Sequence, residues 1–341
     1  MQQNNNFSLL KKEFFRKRTL LSFGLSLLLL YLFLSSTTLG DVARHLKNVD
    51  PFFLVLAFLS HYLTYLFRGD RWKRMIQPTG FSGGTINLAK IIFLFQSIDC
   101  ILPAKLGDVY GAHLMKLNFA MSRSFSLGSI FLWRIIDFVM VMAITVTAAF
   151  LLFGKRIPPD LFFGMEVAGF CLVVLLVLIG LFFYYHKWFP ISPKSERLKS
   201  LIDSFHHGLK LKGRRVPLLL MTTLVIWFLE AGRFFFVCKS MGVEVNMLSV
   251  LFITSSTVFL TAIPFTPSGL GAVELGMVKL LSLIGIGNPV AYPLIIWDRV
   301  IAHWSQILFG IIFILFSKAA NVKIWQFKEE MSSSKKRVAI L

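Results

Sequence analysis

Two proline- and glycine-rich breaks interrupt otherwise apolar sequence in this chain. The first break is Leu102–Lys116 (LPAKLGDVYGAHLMK) and the second is Ile263–Met277 (IPFTPSGLGAVELGM), and each has an acidic residue shortly after a Leu-Gly pair. At membrane depth, non-helical backbone is tolerated only where protein buries it or where it lines a cavity. Two such interruptions in corresponding halves of a chain are typical of a transport site. The breaks therefore predict a membrane protein with a polar site inside it.

The rest of the chain has the composition of an integral membrane protein. Apolar residues make up 56% of it and charged residues only 16%, fewer than a soluble domain carries. Several uncharged runs approach or exceed the roughly 20 residues that cross a hydrocarbon core. We predict six spans: Thr19–Gly40, Pro51–Phe67, Leu127–Phe153, Gly164–Tyr185, Val216–Cys238 and Pro293–Phe316. Gly84–Lys116 and Asn246–Ile286, which contain the breaks, are predicted to form two re-entrant helical hairpins in an all-α polytopic membrane protein.

A single transmembrane domain, residues 19–317, is expected between two polar ends. Residues 1–18 are basic and aromatic, and we expect them to lie on the membrane surface. Residues 318–341 form a basic tail, and residues of about 193–212 are predicted to form an interfacial helix because they are basic and partly amphipathic. No polar stretch is long enough to bury the core of a separate domain.

The net charge of +19 is distributed as in a membrane protein rather than a nucleic-acid-binding one. Lys and Arg cluster at the ends of apolar runs, and this asymmetry predicts that both termini are cytoplasmic. We therefore expect a protein of the bacterial inner (cytoplasmic) membrane with no nucleic-acid partner. Cys100, Cys171 and Cys238 lie in or beside apolar runs without metal-ligand spacing. Neither a disulfide nor a metal or other cofactor is expected.

The two halves of the chain, about residues 51–153 and 216–317, share a spacing of landmarks. Gly107 precedes Arg134 by 27 residues, and Gly271 precedes Arg299 by 28. The upstream arginines are spaced alike, with Arg68 lying 35 residues before Pro103 and Arg233 lying 34 before Pro267. Three predicted spans lie between the first break and the second. Because this number is odd, the two halves are expected to be inverted repeats. Inverted repeats whose broken elements meet near the midplane are a transporter architecture.

Charged residues within the predicted spans are candidates for this site. Arg134 and Asp137 lie three residues apart on one helix face, as do Glu230 and Arg233. Each pair has two interpretations: an ion pair that fixes helix packing, or an arginine that binds a lipid phosphate while its acidic neighbour orients it. Asp298 cannot share a helix face with the arginine that follows it, so each of the two needs a partner on another element.

Two pairings between elements follow from the breaks. We predict that Asp108 pairs with Arg134 in the first half and that Glu274 pairs with Arg299 in the second. Lys105 has no matching cation in the second half. It is equally well explained as a phosphate contact and as a lysine whose charged end reaches the membrane surface.

Two further groups of residues have an expected role. Arg68, Arg71 and Arg74 follow a three-residue spacing on one helical side. They act either as a cytoplasmic anchor or as a cluster that attracts anionic headgroups. The residues expected to form the breaks themselves are Pro103, Gly107, Pro264, Pro267, Gly269 and Gly271.

Four motifs, LPAKLGDVY, WRIIDF, PFTPSGLGAVELG and IIWDR, resemble the transmembrane region of lysylphosphatidylglycerol synthase, a flippase-like domain family. The resemblance extends from the second span to the last and implies a lipid translocation module. The positions that match the family are Pro103, Gly107, Asp108, Arg134, Asp137, Pro267, Gly269, Gly271, Glu274 and Arg299. Asp99 and Cys100 stand where family members commonly have Asn, and Gly111 where many have a basic residue, which implies a different headgroup choice. The synthase domain is not expected here, so neither is lipid aminoacylation by this chain.

The sequence thus predicts movement of a phospholipid or lipid-linked intermediate with an anionic headgroup between leaflets. No catalytic motif is present, so enzymatic activity is not expected. One alternative is a membrane subunit that presents lipid to a partner transferase, and another is a structural membrane protein. The predicted partners are membrane lipids, and a lipid-modifying enzyme and a second copy in a homodimer are both left open.

Overall fold

A computed structural model describes residues 17–35, 49–81, 83–102, 105–188, 196–211, 213–261 and 266–316. Pro103, Pro264, residues 1–16 of the basic N-terminal segment and the tail at 318–341 lie outside these ranges. All of the regular structure in the described ranges is helical.

Twelve α-helices follow one another in the described residues. They are α1 (Lys17–Ser35), α2 (Pro51–Ile76), α3 (Thr85–Ile101), α4 (Leu106–Phe119), α5 (Arg123–Phe153), α6 (Pro159–Trp188), α7 (Glu196–Gly208), α8 (Val216–Ser240), α9 (Met247–Thr261), α10 (Ala272–Leu283), α11 (Asn288–Arg299) and α12 (Ser305–Phe316). Short 3₁₀ turns lie at Gln77–Thr79, Gly213–Arg215 and Pro267–Gly269, and a π-helical turn, Val300–Trp304, joins α11 to α12.

Five helical segments in the described residues are long and apolar enough to cross a membrane. They are Pro51–Thr79, Arg123–Phe153, Pro159–Phe182, Gly213–Ser240 and Asn288–Phe316. The sixth predicted span, Thr19–Gly40, is described as far as Ser35, and its apolar part there is the shorter segment Gly24–Phe33. The prediction of a polytopic helical membrane protein is therefore confirmed in its coarse form.

Both breaks separate pairs of short helices. The first pair, α3 and α4, has 17 and 14 residues, and the second pair, α9 and α10, has 15 and 12. At about 1.5 Å per residue these helices are roughly 18–26 Å long, less than the roughly 30 Å of a hydrocarbon core. Each break also contains a non-glycine residue with left-handed backbone, Lys105 (φ 55°) in the first and Ser268 (φ 49°) in the second.

The helices pack around the long α2–α8 pair, which has the most extensive interface among the described elements. On one side of this pair, Trp72, Phe95 and Trp133 form an aromatic cluster, with 5.1 Å between the Trp72 and Trp133 ring centroids. Trp133 directly precedes Arg134, so this cluster fixes α5 beside the first break. In contrast, α6 has no buried residue in its most apolar stretch, as expected of a helix that faces lipid.

Candidate functional site: a charged cavity between the broken helices

A cavity of about 420 Å³ lies where both breaks meet α2, α5, α8 and α11. Its charged lining consists of Arg68, Lys105, Arg134, Arg233 and Arg299 with Asp99, Asp137, Glu230 and Asp298. Charged side chains in membrane-spanning helices are costly unless they are paired, and they commonly mark a pathway for substrate. The structure thus brings together residues from both halves that the sequence singles out separately.

In the first half, Arg134 on α5 reaches the start of α4. Its Nη2 lies 2.7 Å from Oδ1 of Asp108 and its Nε lies 3.2 Å from Oδ2, so both carboxylate oxygens accept from one guanidinium. Asp99, near the end of α3, accepts from Nη2 of Arg134 at 3.1 Å and from the amide of Gly107 at 2.8 Å. Asp99 therefore ties the beginning of α4 to the arginine of the next long helix.

In the second half, a single carboxylate contacts both the arginine and the glycine amide. Oε1 of Glu274 accepts from Nε of Arg299 at 2.8 Å, and Oε2 accepts from the amide of Gly271 at 2.6 Å. Gly271 has a φ of 86°, a backbone conformation that favours glycine. Both pairings predicted between elements, in the first half and in the second, are confirmed.

The two halves differ in the origin of the bridging carboxylate. In the first half it is Asp99, which precedes the break, whereas in the second it is Glu274, which follows it. In the sequence, Asp99 stands out as a departure from the asparagine common in the family. A stronger signal was available, since this carboxylate lies about one helical turn before Pro103 in an apolar helix.

A chain of ion pairs links α2, α8 and α11 across the cavity. Nη2 of Arg68 lies 2.9 Å from Oε1 of Glu230, and Nε of Arg233 lies 3.3 Å from Oε2 of the same carboxylate. Arg233 also donates through Nη1 to Asp298. His61 adds a polar group to this chain, because its Nδ1 lies 3.5 Å from Glu230. The predicted Glu230–Arg233 pair is present, and Asp298 finds its partner on another helix.

The partner predicted for Asp137 is wrong. Asp137 binds Arg71 with both oxygens, at 2.5 Å to Nη1 and 2.9 Å to Nη2, and not the neighbouring Arg134. Thr223 on α8 accepts a further hydrogen bond from Arg71 at 2.9 Å. Arg134 is unavailable to Asp137 because the carboxylates at the first break hold it.

The three arginines at the end of α2 therefore do not form one surface cluster. The Arg71 side chain is 1% exposed and that of Arg68 is 15% exposed, so both point into the protein rather than towards headgroups. Only Arg74, with a side chain 39% exposed and paired with Asp70, keeps the surface position expected of all three. The expectation of a headgroup-attracting cluster fails for Arg68 and Arg71 because each has a buried carboxylate within reach.

The charges in and around the cavity balance. The cations are Arg68, Arg71, Lys105, Arg134, Arg233 and Arg299, and the carboxylates are Asp99, Asp108, Asp137, Glu230, Glu274 and Asp298. The cavity and its immediate surroundings in the described residues therefore carry no excess of positive charge. Among the described residues, Nη2 of Arg299 and Nε of Arg68 are buried without a hydrogen-bond partner. These N–H groups can bind acceptor oxygens such as those of a phosphate.

Hydroxyl and amide side chains complete the lining. Thr254, Thr257 and Thr261 lie on one side of α9, and Gln96 and Gln306 reach the cavity from α3 and α12. None of these five is among the predicted site residues, because a threonine or glutamine in an apolar helix has no distinctive spacing.

The region that contains this site matches a known family. Residues 19–310 match the family described as the lysylphosphatidylglycerol synthase transmembrane region. The chain belongs to this family. The matched range contains every charged residue of the cavity, and the resemblance carried by the four sequence motifs is confirmed.

Relatives of this family member are proteins described as UPF0104 membrane proteins. One from Methanocaldococcus jannaschii is 32% identical over 216 residues, which cover 63% of this chain and 92% of the relative. Another, from Pyrococcus horikoshii, is 20% identical over 332 residues, covering 88% and 97% of the two chains. A third, from Methanothermobacter thermautotrophicus, is 21% identical over 339 residues, covering 92% and 96%. The similarity therefore extends over nearly the full length of each relative.

Proposed function

We propose that this protein moves a lipid with a phosphate-bearing headgroup between the two leaflets of the cytoplasmic membrane. The observation that carries the proposal is the charged cavity inside apolar helices, where a buried donor of Arg299 has no partner among the described residues. Membership of the lysylphosphatidylglycerol synthase transmembrane-region family supports a role connected with membrane lipids.

In the proposed mechanism the headgroup phosphate binds Arg299 and Arg134. Arginine suits this role because its planar guanidinium donates two parallel hydrogen bonds to phosphate oxygens. Asp99 and Glu274 hold these arginines while the cavity is empty, and each is itself fixed to a glycine amide. The carboxylates therefore stay in place when a phosphate takes over some of the guanidinium N–H groups. The step is one of binding and release and needs no catalysis by this chain.

The proposed topology has two inverted halves whose broken helix pairs enter and leave the membrane on one side each, with both termini cytoplasmic. The short lengths of α3, α4, α9 and α10 support re-entrance, because none matches the thickness of a hydrocarbon core. In this topology the breaks meet near the midplane, which puts the charged cavity half-way between the two headgroup layers.

Leaflet exchange in liposomes tests the proposal. The full chain is reconstituted with fluorescent phosphatidylglycerol, and the outer-leaflet label is quenched chemically. Exchange is expected in wild type and to fall about tenfold or more in Arg299→Gln, because a charge-assisted hydrogen bond contributes roughly 1.5–3 kcal/mol. Arg74→Gln is the matched control, since Arg74 is an exposed arginine away from the cavity.

The same assay distinguishes the main alternative. Exchange by wild type no faster than in protein-free liposomes contradicts the proposal. If the protein nevertheless binds phosphatidylglycerol and Arg299→Gln does not, the cavity presents lipid to a partner transferase instead.

A further inference from the structure

A second, apolar groove lies on the lipid-facing surface beside the charged cavity. It has a volume of about 670 Å³ and is formed by α2, α3 and α12. Its walls are mainly aromatic and aliphatic, with Tyr62, Phe93, Phe309 and Phe313 among them, and Lys90 is the one charged residue among the described residues that line it. Apolar walls of this kind attract hydrocarbon rather than a polar ligand.

The groove and the charged cavity share a wall that is formed by two side chains. Tyr65 lines both spaces, and Gln306 lines the cavity directly behind it. With its amide oriented to satisfy its neighbours, Gln306 accepts from the Tyr65 hydroxyl at 2.9 Å and donates to the carbonyl of Ala302 at 3.1 Å. The polar and apolar spaces are thus separated by two side chains and one hydrogen bond between them.

The backbone behind this wall is irregular. Ala302 belongs to the π-helical turn Val300–Trp304, which lies between Arg299 and Gln306. Such turns occur frequently at functional sites. Gln306 donates to a carbonyl of this turn, so the wall residue and the phosphate-binding arginine lie on either side of an irregular segment.

We infer that the groove holds an acyl chain of the lipid whose headgroup occupies the charged cavity, and that Tyr65 and Gln306 form the portal between them. This inference rests on the proposed function. The groove adjoins the charged cavity, and this argues for an acyl chain as its occupant. A phospholipid must put its phosphate among the arginines and keep its hydrocarbon in an apolar space. The groove opens to lipid on one side and meets the cavity on the other. Opening the portal requires breaking the hydrogen bond between Tyr65 and Gln306.

Photolabelling and groove filling test the acyl-chain site. In phosphatidylglycerol vesicles with a diazirine on the acyl chain, labelling of the full chain is expected to concentrate on groove residues such as Phe93 and Phe313. Ile312→Trp, which fills the groove, is expected to lower this labelling and slow leaflet exchange about fivefold or more. Leu308→Trp is the matched control, because Leu308 is an exposed residue of the same helix outside the groove.

The outcomes separate the inference from the proposed function. If Arg299→Gln abolishes exchange while Ile312→Trp exchanges like Leu308→Trp and labelling is uniform over lipid-facing helices, the groove is not an acyl-chain site and transport stands. If wild type shows no exchange, the proposed function fails. In that case, labelling that is concentrated on groove residues and removed by Ile312→Trp still supports the acyl-chain site, whereas uniform labelling overturns it.

The portal has its own test. The proposal includes that portal opening limits the rate of exchange. Tyr65→Phe keeps the ring and removes the hydroxyl, so exchange is expected to become about fivefold faster. Gln306→Leu is expected to have the same effect, and the double variant no additional one. Exchange rates unchanged in both single variants contradict the assignment of the portal.

Discussion

Asp99 and Glu274 each hold a glycine amide with one carboxylate oxygen and an arginine with the other. Their side chains are buried, at 4% and 3% exposure, so loss of either charge leaves an arginine less well paired in a low-dielectric setting. The two arginines differ in the number of carboxylates with which they pair. Arg134 keeps Asp108 as a second acceptor, whereas Glu274 is the ion-pair partner of Arg299 in the described residues.

This difference predicts unequal effects of neutral substitutions on stability. Glu274→Gln is expected to lower the free energy of unfolding by about 3–5 kcal/mol, since it leaves Arg299 buried without its carboxylate. Asp99→Asn is expected to cost about 1–3 kcal/mol, because the amide oxygen can still accept from Gly107 and Asp108 still pairs with Arg134. Denaturant titration of the purified protein in detergent measures both values.

The control is Glu244→Gln, which removes an exposed carboxylate outside the helices and is expected to change little. Equal losses in Glu274→Gln and Asp99→Asn would show that Asp108 does not act as a reserve partner for Arg134.

Contacts between elements were the least predictable feature of the site. The short helices on either side of each break and the Asp108–Arg134 and Glu274–Arg299 pairings follow from proline, glycine and charge positions. The partner of Asp137 does not. Spacing of three residues makes two side chains neighbours on a helix, but a bidentate pair needs a guanidinium that faces the carboxylate, and Arg71 on α2 provides it. Sequence spacing within one helix carries no information about which helix packs opposite.

The α2–α5 contact can be tested with a double-mutant cycle. Arg71→Met and Asp137→Leu are each expected to destabilise the protein by about 3–5 kcal/mol, because each leaves one buried charge unpaired. The double variant is expected to be much less destabilised than the sum, since both charges are gone and apolar side chains of similar size replace them. Thermal unfolding in detergent gives the ranking.

The matched comparison is the cycle of Arg134→Met with Asp137→Leu. These residues form no ion pair in the structure, so the coupling energy of this cycle should be smaller than that of the Arg71–Asp137 cycle. Strong rescue in this second cycle, and none in the first, would restore the pairing within α5 that the spacing suggested.

At the scale of the whole molecule, an ion pair at the cavity joins the two proposed halves. Arg68 of the first half binds Glu230 of the second, while Arg71–Asp137 and Arg233–Asp298 each stay within one half. The landmark spacing indicated two related halves, but the cross-pairing depends on how α2 and α8 pack together. The residues buried along these two helices are a mixture of small, aliphatic, polar and aromatic side chains, which leave no short motif in the sequence.

The proposed inversion makes a prediction about the sides of the membrane. In the proposed topology the ends of the first helix pair are cytoplasmic, and those of the second face the outside. Cysteines introduced at Ser122, after α4, and at Glu244, before α9, are both at exposed positions. In a cysteine-free background, a membrane-impermeant maleimide applied to intact cells should label Glu244→Cys and leave Ser122→Cys unlabelled until the cells are permeabilised.

Two further positions make the result decisive. Ser282→Cys, at the end of α10, should behave like Glu244→Cys, because a re-entrant pair returns to the side from which it entered. Gln77→Cys, at the end of α2, should behave like Ser122→Cys for the same reason. Opposite labelling of Glu244→Cys and Ser282→Cys would mean that α9 and α10 together cross the membrane. The halves would then not be inverted, and the breaks could not both reach the midplane from opposite sides.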